Sequence, residues 1–284
     1  MLRTRDFRQV DVFTALPALG NPVAVVFDAD DLTEDRMAAF ARWTNLSETT
    51  FVQSPTDERA DYRLRIFTPT GELPFAGHPT LGSAHAWLRR VGVSTSGSVI
   101  QECGIGLVEI APTPEGLAFA APPLLRSGPP DEQTLRQAAR GLGIAETEIV
   151  AANWVVNGPQ WLGVMLSSGA EVLALRPDFG ALGDLEVGVI APWADEEAQA
   201  RGADYEVRAF APGLGVGEDP VTGSLNAGLA VWLCGSRRAP ASYVAAQGTA
   251  LGRAGRVQIR TDTTTGAVWV GGSSVTVVSG TVDL

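Results

Sequence analysis

Lysine is absent from this chain: all 21 basic residues are arginine. With it go a Schiff-base lysine, a P-loop lysine and a lysine nucleophile. Histidine occurs only as His78 and His85, and cysteine only as Cys103 and Cys234. Two imidazoles and two distant thiols with no ligand spacing between them make a poor zinc site, so no metal is expected. Two cysteines are also too few for a disulfide framework and fit a reducing, cytoplasmic compartment. No run approaches the roughly 20 apolar residues of a membrane span. The opening "MLRTRDFRQVDVF" lacks an apolar signal region. Acidic residues outnumber basic ones 32 to 21, for a net charge of −11. That balance speaks against nucleic acid and against anionic membrane surfaces, both of which call for a basic face.

What is present is a chain of 284 residues with 45% hydrophobic content, enough for one or two packed domains. "RQVDVFT", "NPVAVVF", "TTFVQS", "DYRLRIFT", "SVIQEC", "GLVEIAP" and "GLAFAAP" alternate or run apolar, as strands do. "DLTEDRMAAFARWTN", with Thr33 as N-cap, reads as helix, as do "DEQTLRQAARGLG", "EVLALRPDFGAL" and Pro79–Arg90. Pro and Gly cluster between about residues 111 and 130, which predicts a link there.

One pattern appears twice. Asp61, Tyr62, Arg65, Phe67 and Pro69 recur as Asp204, Tyr205, Arg208, Phe210 and Pro212 at a constant offset. After a short insertion Glu72, Pro74, Gly77 and Gly82 recur as Glu218, Pro220, Gly223 and Gly228. A weaker echo links "GNPVAVVF" to "NGPQWLGVML". A two-fold internal repeat predicts two similar α/β halves, residues 1–117 and 118–274, with a final strand near 275–284 returning to the first. Each copy reads strand, Pro/Gly loop, helix. Pro79 falls in the first turn of one helix and Ser224 at the N-cap of the other. A helix start exposes orphan N–H groups and the positive end of the dipole, which suits an anion. Two such ends turned to one cleft would grip a small carboxylate substrate from both sides.

"NLSETTFV", "FTPTGELPFAGHPTLG" and "GEDPVTGSLN", together with the opening "VDVFTALPALGNPVAVV", resemble the signature stretches of the phenazine-biosynthesis PhzF-like isomerases. The resemblance extends over the whole chain. It implies the diaminopimelate-epimerase-like fold: two pseudo-symmetric domains, each a β-barrel-like sheet around a central helix, with the site in the cleft. It implies a cofactor-free isomerase, usually a homodimer, that shifts a proton and double bond in a dihydro-hydroxyanthranilate-like acid. By the same resemblance Glu48 is the acid/base group, with His78 and Asp219 as its catalytic companions. Gly77, Gly223, Thr222 and Ser224 become substrate-binding positions.

The residue types suit such chemistry. A C–H proton shift needs one group that takes a proton and returns it to another carbon, and a carboxyl screened from water can do both. Without the motif, Glu48 reads as a loop carboxylate and His78 as a capping imidazole. His85 reads as a packing residue. Epimerases and racemases of the same fold use two cleft cysteines; here Ala76 and Thr222 lie near those positions, so a two-thiol mechanism is disfavoured. Asn226 follows "TGS" where an Ala-rich continuation is typical, and either points into the pocket or caps the helix. Three readings stand: a single-carboxyl isomerase, an epimerase or racemase, and a non-catalytic binder of small acids.

Overall fold

The computed structural model describes residues 2–92, 97–214 and 216–284. They form the mixed α/β fold read from the sequence, with seven α-helices among the described residues. The chain divides into two compact units: unit 1 is Met1–Ala120 with Gly271–Leu284, and unit 2 is Ala121–Val270. No helix among the described residues is long and apolar enough to cross a membrane.

Unit 1 runs β1 (Thr4–Val12), β2 (Asn21–Val26), α1 (Glu34–Thr44), β3 (Glu48–Gln53), β4 (Tyr62–Phe67), β5 (Glu72–Leu73), α2 (Gly77–Val91), β6 (Val99–Cys103), β7 (Gly106–Thr113) and β8 (Gly116–Ala120). Thr33 occupies the N-cap of α1, and Asn45 ends the helix in the left-handed conformation that Asn tolerates. Met37, Phe40 and Ala41 of α1 pack with Val26, Phe51 and Phe67. Helix α2 is buried along Gly77–Ala84 and again at Ala86 and Leu88. A helix so enclosed has no solvent face to serve, which is why its first turns carry small residues and only polar ones that find partners inside, Thr80 with Gln101 and Ser83 with Thr50. It packs against β1, β2, β3, β4, β6 and β8.

Unit 2 runs β9 (Arg126–Gly128), α3 (Glu132–Leu142), β10 (Ala151–Val156), β11 (Leu162–Met165), α4 (Gly169–Ala174), α5 (Phe179–Leu182), β12 (Val187–Pro192), α6 (Asp195–Arg201), β13 (Tyr205–Ala211), β14 (Val216–Asp219), α7 (Gly223–Gly235), β15 (Ser242–Gln247) and β16 (Gly255–Thr261). Strand β17 (Val268–Gly272) spans the boundary, and β18 (Ser274–Asp283) pairs antiparallel with β1. The stretch "EVLALRPDFGAL", expected as one helix, is two short ones, because Pro177 cannot continue a helix and removes a donor.

The two units share one connectivity. β2 pairs parallel with β3, and β11 with β12; β4 pairs parallel with β6, and β13 with β15. β3–β4 and β12–β13 are antiparallel, as are β1–β18 and β9–β10 at the other end. The repeated residues hold equivalent contacts. Asp61 takes the Ile100 N–H at 2.7 Å, and Asp204 takes the Val244 N–H at 2.7 Å. Arg65 pairs with Glu72, and Arg208 with Glu218.

Candidate active site

Glu48 opens β3 opposite Val23 of β2, and His78 is the second residue of α2. Because α2 packs against both strands, the Glu48 Oε2 and the His78 Nε2 come within 3.3 Å. The side chains are 15% and 5% exposed. The approach is close, but its angles fall short of a hydrogen bond. Catalytic contacts in unliganded enzymes often have this looseness and tighten around substrate. On the far side of the ring Asn21 Nδ2 lies 3.5 Å from Nδ1, and the Pro22 carbonyl accepts a hydrogen bond from the imidazole. Burial drives the His78 pKa down to about 3, the Pro22 carbonyl opposing it weakly. At neutral pH the ring is uncharged, so the pair is a carboxyl against a neutral imidazole.

In unit 2, Asp219 ends β14 and accepts a 2.5 Å hydrogen bond from Thr222 Oγ1. Gln247 ties this corner together. Its amide donates to Thr222 Oγ1 and to the Asp219 carbonyl, and its Oε1 accepts from the Thr222 N–H and from Asn226 Nδ2. Asn226, 1% exposed, also donates to the Thr222 carbonyl. It therefore does not cap the helix, as one of its two expected roles would have it; its side chain braces the loop instead. Ser224 was expected at the N-cap; the cap is Thr222 and Ser224 is the second helical residue. The Thr222 hydroxyl does not cap, since it is spent on Asp219. Ser224 accepts from Trp161 Nε1 at 3.2 Å, and its carbonyl accepts from Asn157 Nδ2.

Gly77 and Gly223 begin α2 and α7, and neither cap residue, Ala76 or Thr222, closes the first turn with a side-chain bond. Those N–H groups retain the character of an anion site. His85 Nε2 lies 3.1 Å from Thr276 Oγ1, its pKa lowered by burial to about 4, as a packing histidine would be. Both cysteines are free and partly buried, and burial raises both thiols away from the reactive thiolate. Among the described residues no group of three His, Cys, Asp or Glu is placed to hold a metal ion. A surface depression of about 240 Å³ beside Trp87 and Arg90, and one of about 710 Å³ beside Val231 and Cys234, touch none of the candidate residues.

Asn21, Gln247 and Trp161 were missed by sequence reasoning. Each acts through side-chain contacts to residues distant in sequence, which leave no local pattern to find.

Residues 10–280 match the family model described as phenazine biosynthesis-like protein. The chain belongs to that family. It is similar to "Antisense-enhancing sequence 1" of Schizosaccharomyces pombe, 39% identical over 97% of each chain. It is also similar to trans-2,3-dihydro-3-hydroxyanthranilate isomerase of Pseudomonas aeruginosa, 37% identical over 89% of each. Its structure resembles the phenazine biosynthesis PhzF family protein of Enterococcus faecalis, with a TM-score of 0.81 and 26% identity over 99% of this chain and 100% of that one.

Proposed function

We propose that this phenazine biosynthesis-like isomerase moves a proton between two carbons of a small carboxylic acid, shifting a double bond, with Glu48 as carrier and without a cofactor. The observation that carries the reading is the Glu48 carboxyl 3.3 Å from the ring of a buried His78, an imidazole held neutral by that burial. As carboxylate, Glu48 takes a C–H proton while the electron pair enters the adjoining π-system. As carboxylic acid, it returns the proton to a second carbon on the same face, so the substrate is isomerised and the enzyme unchanged. A neutral imidazole offers one donor and one acceptor, which orients the carboxyl without holding it ionised. The helix starts at Gly77 and Gly223 are the proposed carboxylate-binding groups, with Thr222 and Ser224 as binding residues and Asp219 as a supporting charge.

A dihydro-hydroxyanthranilate-like acid is the proposed substrate, supported by the activity for which the Pseudomonas relative is named. Action as a homodimer in the cytoplasm belongs to the same reading, supported by the family resemblance and by the free cysteines. The test is incubation with trans-2,3-dihydro-3-hydroxyanthranilate and a panel of small acids in heavy water. Deuterium entering a carbon, with formation of the isomer, is expected. An acid that binds yet exchanges nothing would favour the binding-protein reading. Thiol alkylation separates the epimerase alternative, since only a two-cysteine mechanism stops.

A further inference from the structure

Strand register pairs Glu48 with a second buried glutamate. Phe67 of β4 lies opposite Thr49, and its repeat partner Phe210 of β13 lies opposite Val187. The residue before each is Glu48 in unit 1 and Glu186 in unit 2. The same registers, Ala24 opposite Thr49 and Leu162 opposite Val187, make Val23 the counterpart of Trp161 and Pro22 that of Gln160. Gly77 and Gly223 align, so His78 corresponds to Ser224.

The two glutamates are held differently. Glu48 meets His78, and Pro22 below it has no N–H to give. In unit 2 the backbone of Gln160 donates to the Glu186 carboxyl, and Trp161 Nε1 donates to the hydroxyl of Ser224, which stands where unit 1 has His78. Glu186 is 8% exposed, and its Oε2 has no hydrogen-bond partner. Among the described residues no arginine pairs with it. Burial raises its pKa, as expected for a carboxylate without a counter-charge. A buried carboxyl with one oxygen unused and no cation at hand is a costly arrangement unless a ligand completes it.

We propose that Glu186 is a specificity-determining subsite that takes the cationic amino group of an amino-bearing small acid. An ammonium supplies both what Oε2 lacks, a donor, and what the carboxylate lacks, a counter-charge. The proposal rests on the small-acid reading above, and adds the residue that holds the amino group such an acid carries.

The experiment is calorimetric titration of wild type, Glu186→Gln and Glu48→Gln with 2-aminocyclohexanecarboxylate and with cyclohexanecarboxylate. Wild type should prefer the amino acid, and Glu186→Gln should lose at least about tenfold of that preference while binding the plain acid unchanged. Glu48→Gln should keep the preference even where proton exchange has gone, so failure of the subsite and failure of the proton-carrier reading are told apart. A wild type without the preference, or a preference that Glu186→Gln retains, overturns the proposal. Loss of binding to both acids in a folded Glu186→Gln protein does so as well, because it marks a structural role.

Discussion

Arg208 grips Glu218 with two parallel hydrogen bonds, Nε to Oε1 at 2.9 Å and Nη2 to Oε2 at 2.7 Å, and both side chains are closed off from water. Arg65 grips Glu72 in the same two-pronged way at the repeat-equivalent place, but Glu72 is 35% exposed. Burial, not geometry, separates the two pairs. Glu218→Ala leaves a buried guanidinium uncompensated and should cost about 3–5 kcal/mol. Glu72→Ala leaves Arg65 with Glu34 and with water, and should cost about 1 kcal/mol or less. Urea denaturation of both variants checks the contrast, and equal losses would contradict it.

The repeated glycines make a steric prediction. A Cβ on Gly228 would lie 2.4 Å from the Val155 carbonyl oxygen, a backbone atom that cannot turn aside. Alanine in a helix ordinarily stabilises by up to about 1 kcal/mol over glycine, but overpacking here costs about 1–3 kcal/mol and reverses the sign. Gly228→Ala should therefore lower the melting temperature. Gly235, in the same helix, has open space around it, so Gly235→Ala should hold or raise the melting temperature. The pair of variants separates a packing requirement from helix propensity.

The histidines set how stability responds to acid. Burial lowers His78 to about 3 and His85 to about 4 from an ordinary value of 6.5. Between those values and 6.5 the unfolded chain binds protons that the folded chain refuses, so stability is full above about pH 6.5 and falls as pH drops. For His78 the slope is at most about 1.4 kcal/mol per pH unit. Denaturation midpoints from pH 7 to pH 5 should fall in wild type and fall less steeply in His85→Gln. A midpoint independent of pH across that window would show that both rings accept protons in the fold.

The repeat was legible because its marks are irreplaceable pieces of local geometry. Asp61 and Asp204 each take a strand N–H, Arg65 and Arg208 each need a carboxylate, and Gly82 and Gly228 each admit a neighbour where a Cβ would collide. Glu48 and His78 were legible through their motifs alone; their contact depends on α2 lying across β2 and β3, which no spacing encodes. Gln247, Trp161 and Asn21 stayed hidden because a strand or loop residue chooses its partner only once the sheet has formed. The Ser224 cap was misread for a related reason. A hydroxyl after glycine suits a cap, and only the fold shows that Thr222 stands there with its hydroxyl turned to Asp219.

Glu48→Gln tests the chemistry most directly. Glutamine keeps the size of the side chain and most of its hydrogen bonding next to His78, but cannot accept a proton from carbon. The carboxylate-binding groups assigned to Gly77 and Gly223 are backbone N–H groups and stay in place, so affinity for a small acid should change by no more than a few-fold. Turnover and solvent deuterium exchange should both fall by about 10²–10⁴-fold, the usual loss for a general acid–base group. His78 is a poor substitute for the missing base, because the burial that lowers its pKa to about 3 leaves the neutral ring little basicity toward a carbon-bound proton. Asp219→Asn should reduce exchange less, since it removes a charge and leaves the carrier. Affinity and exchange measured on one substrate, for wild type and both variants, decide the matter. Exchange that survives Glu48→Gln would make the 3.3 Å contact with His78 a structural pairing and move the search for the base elsewhere.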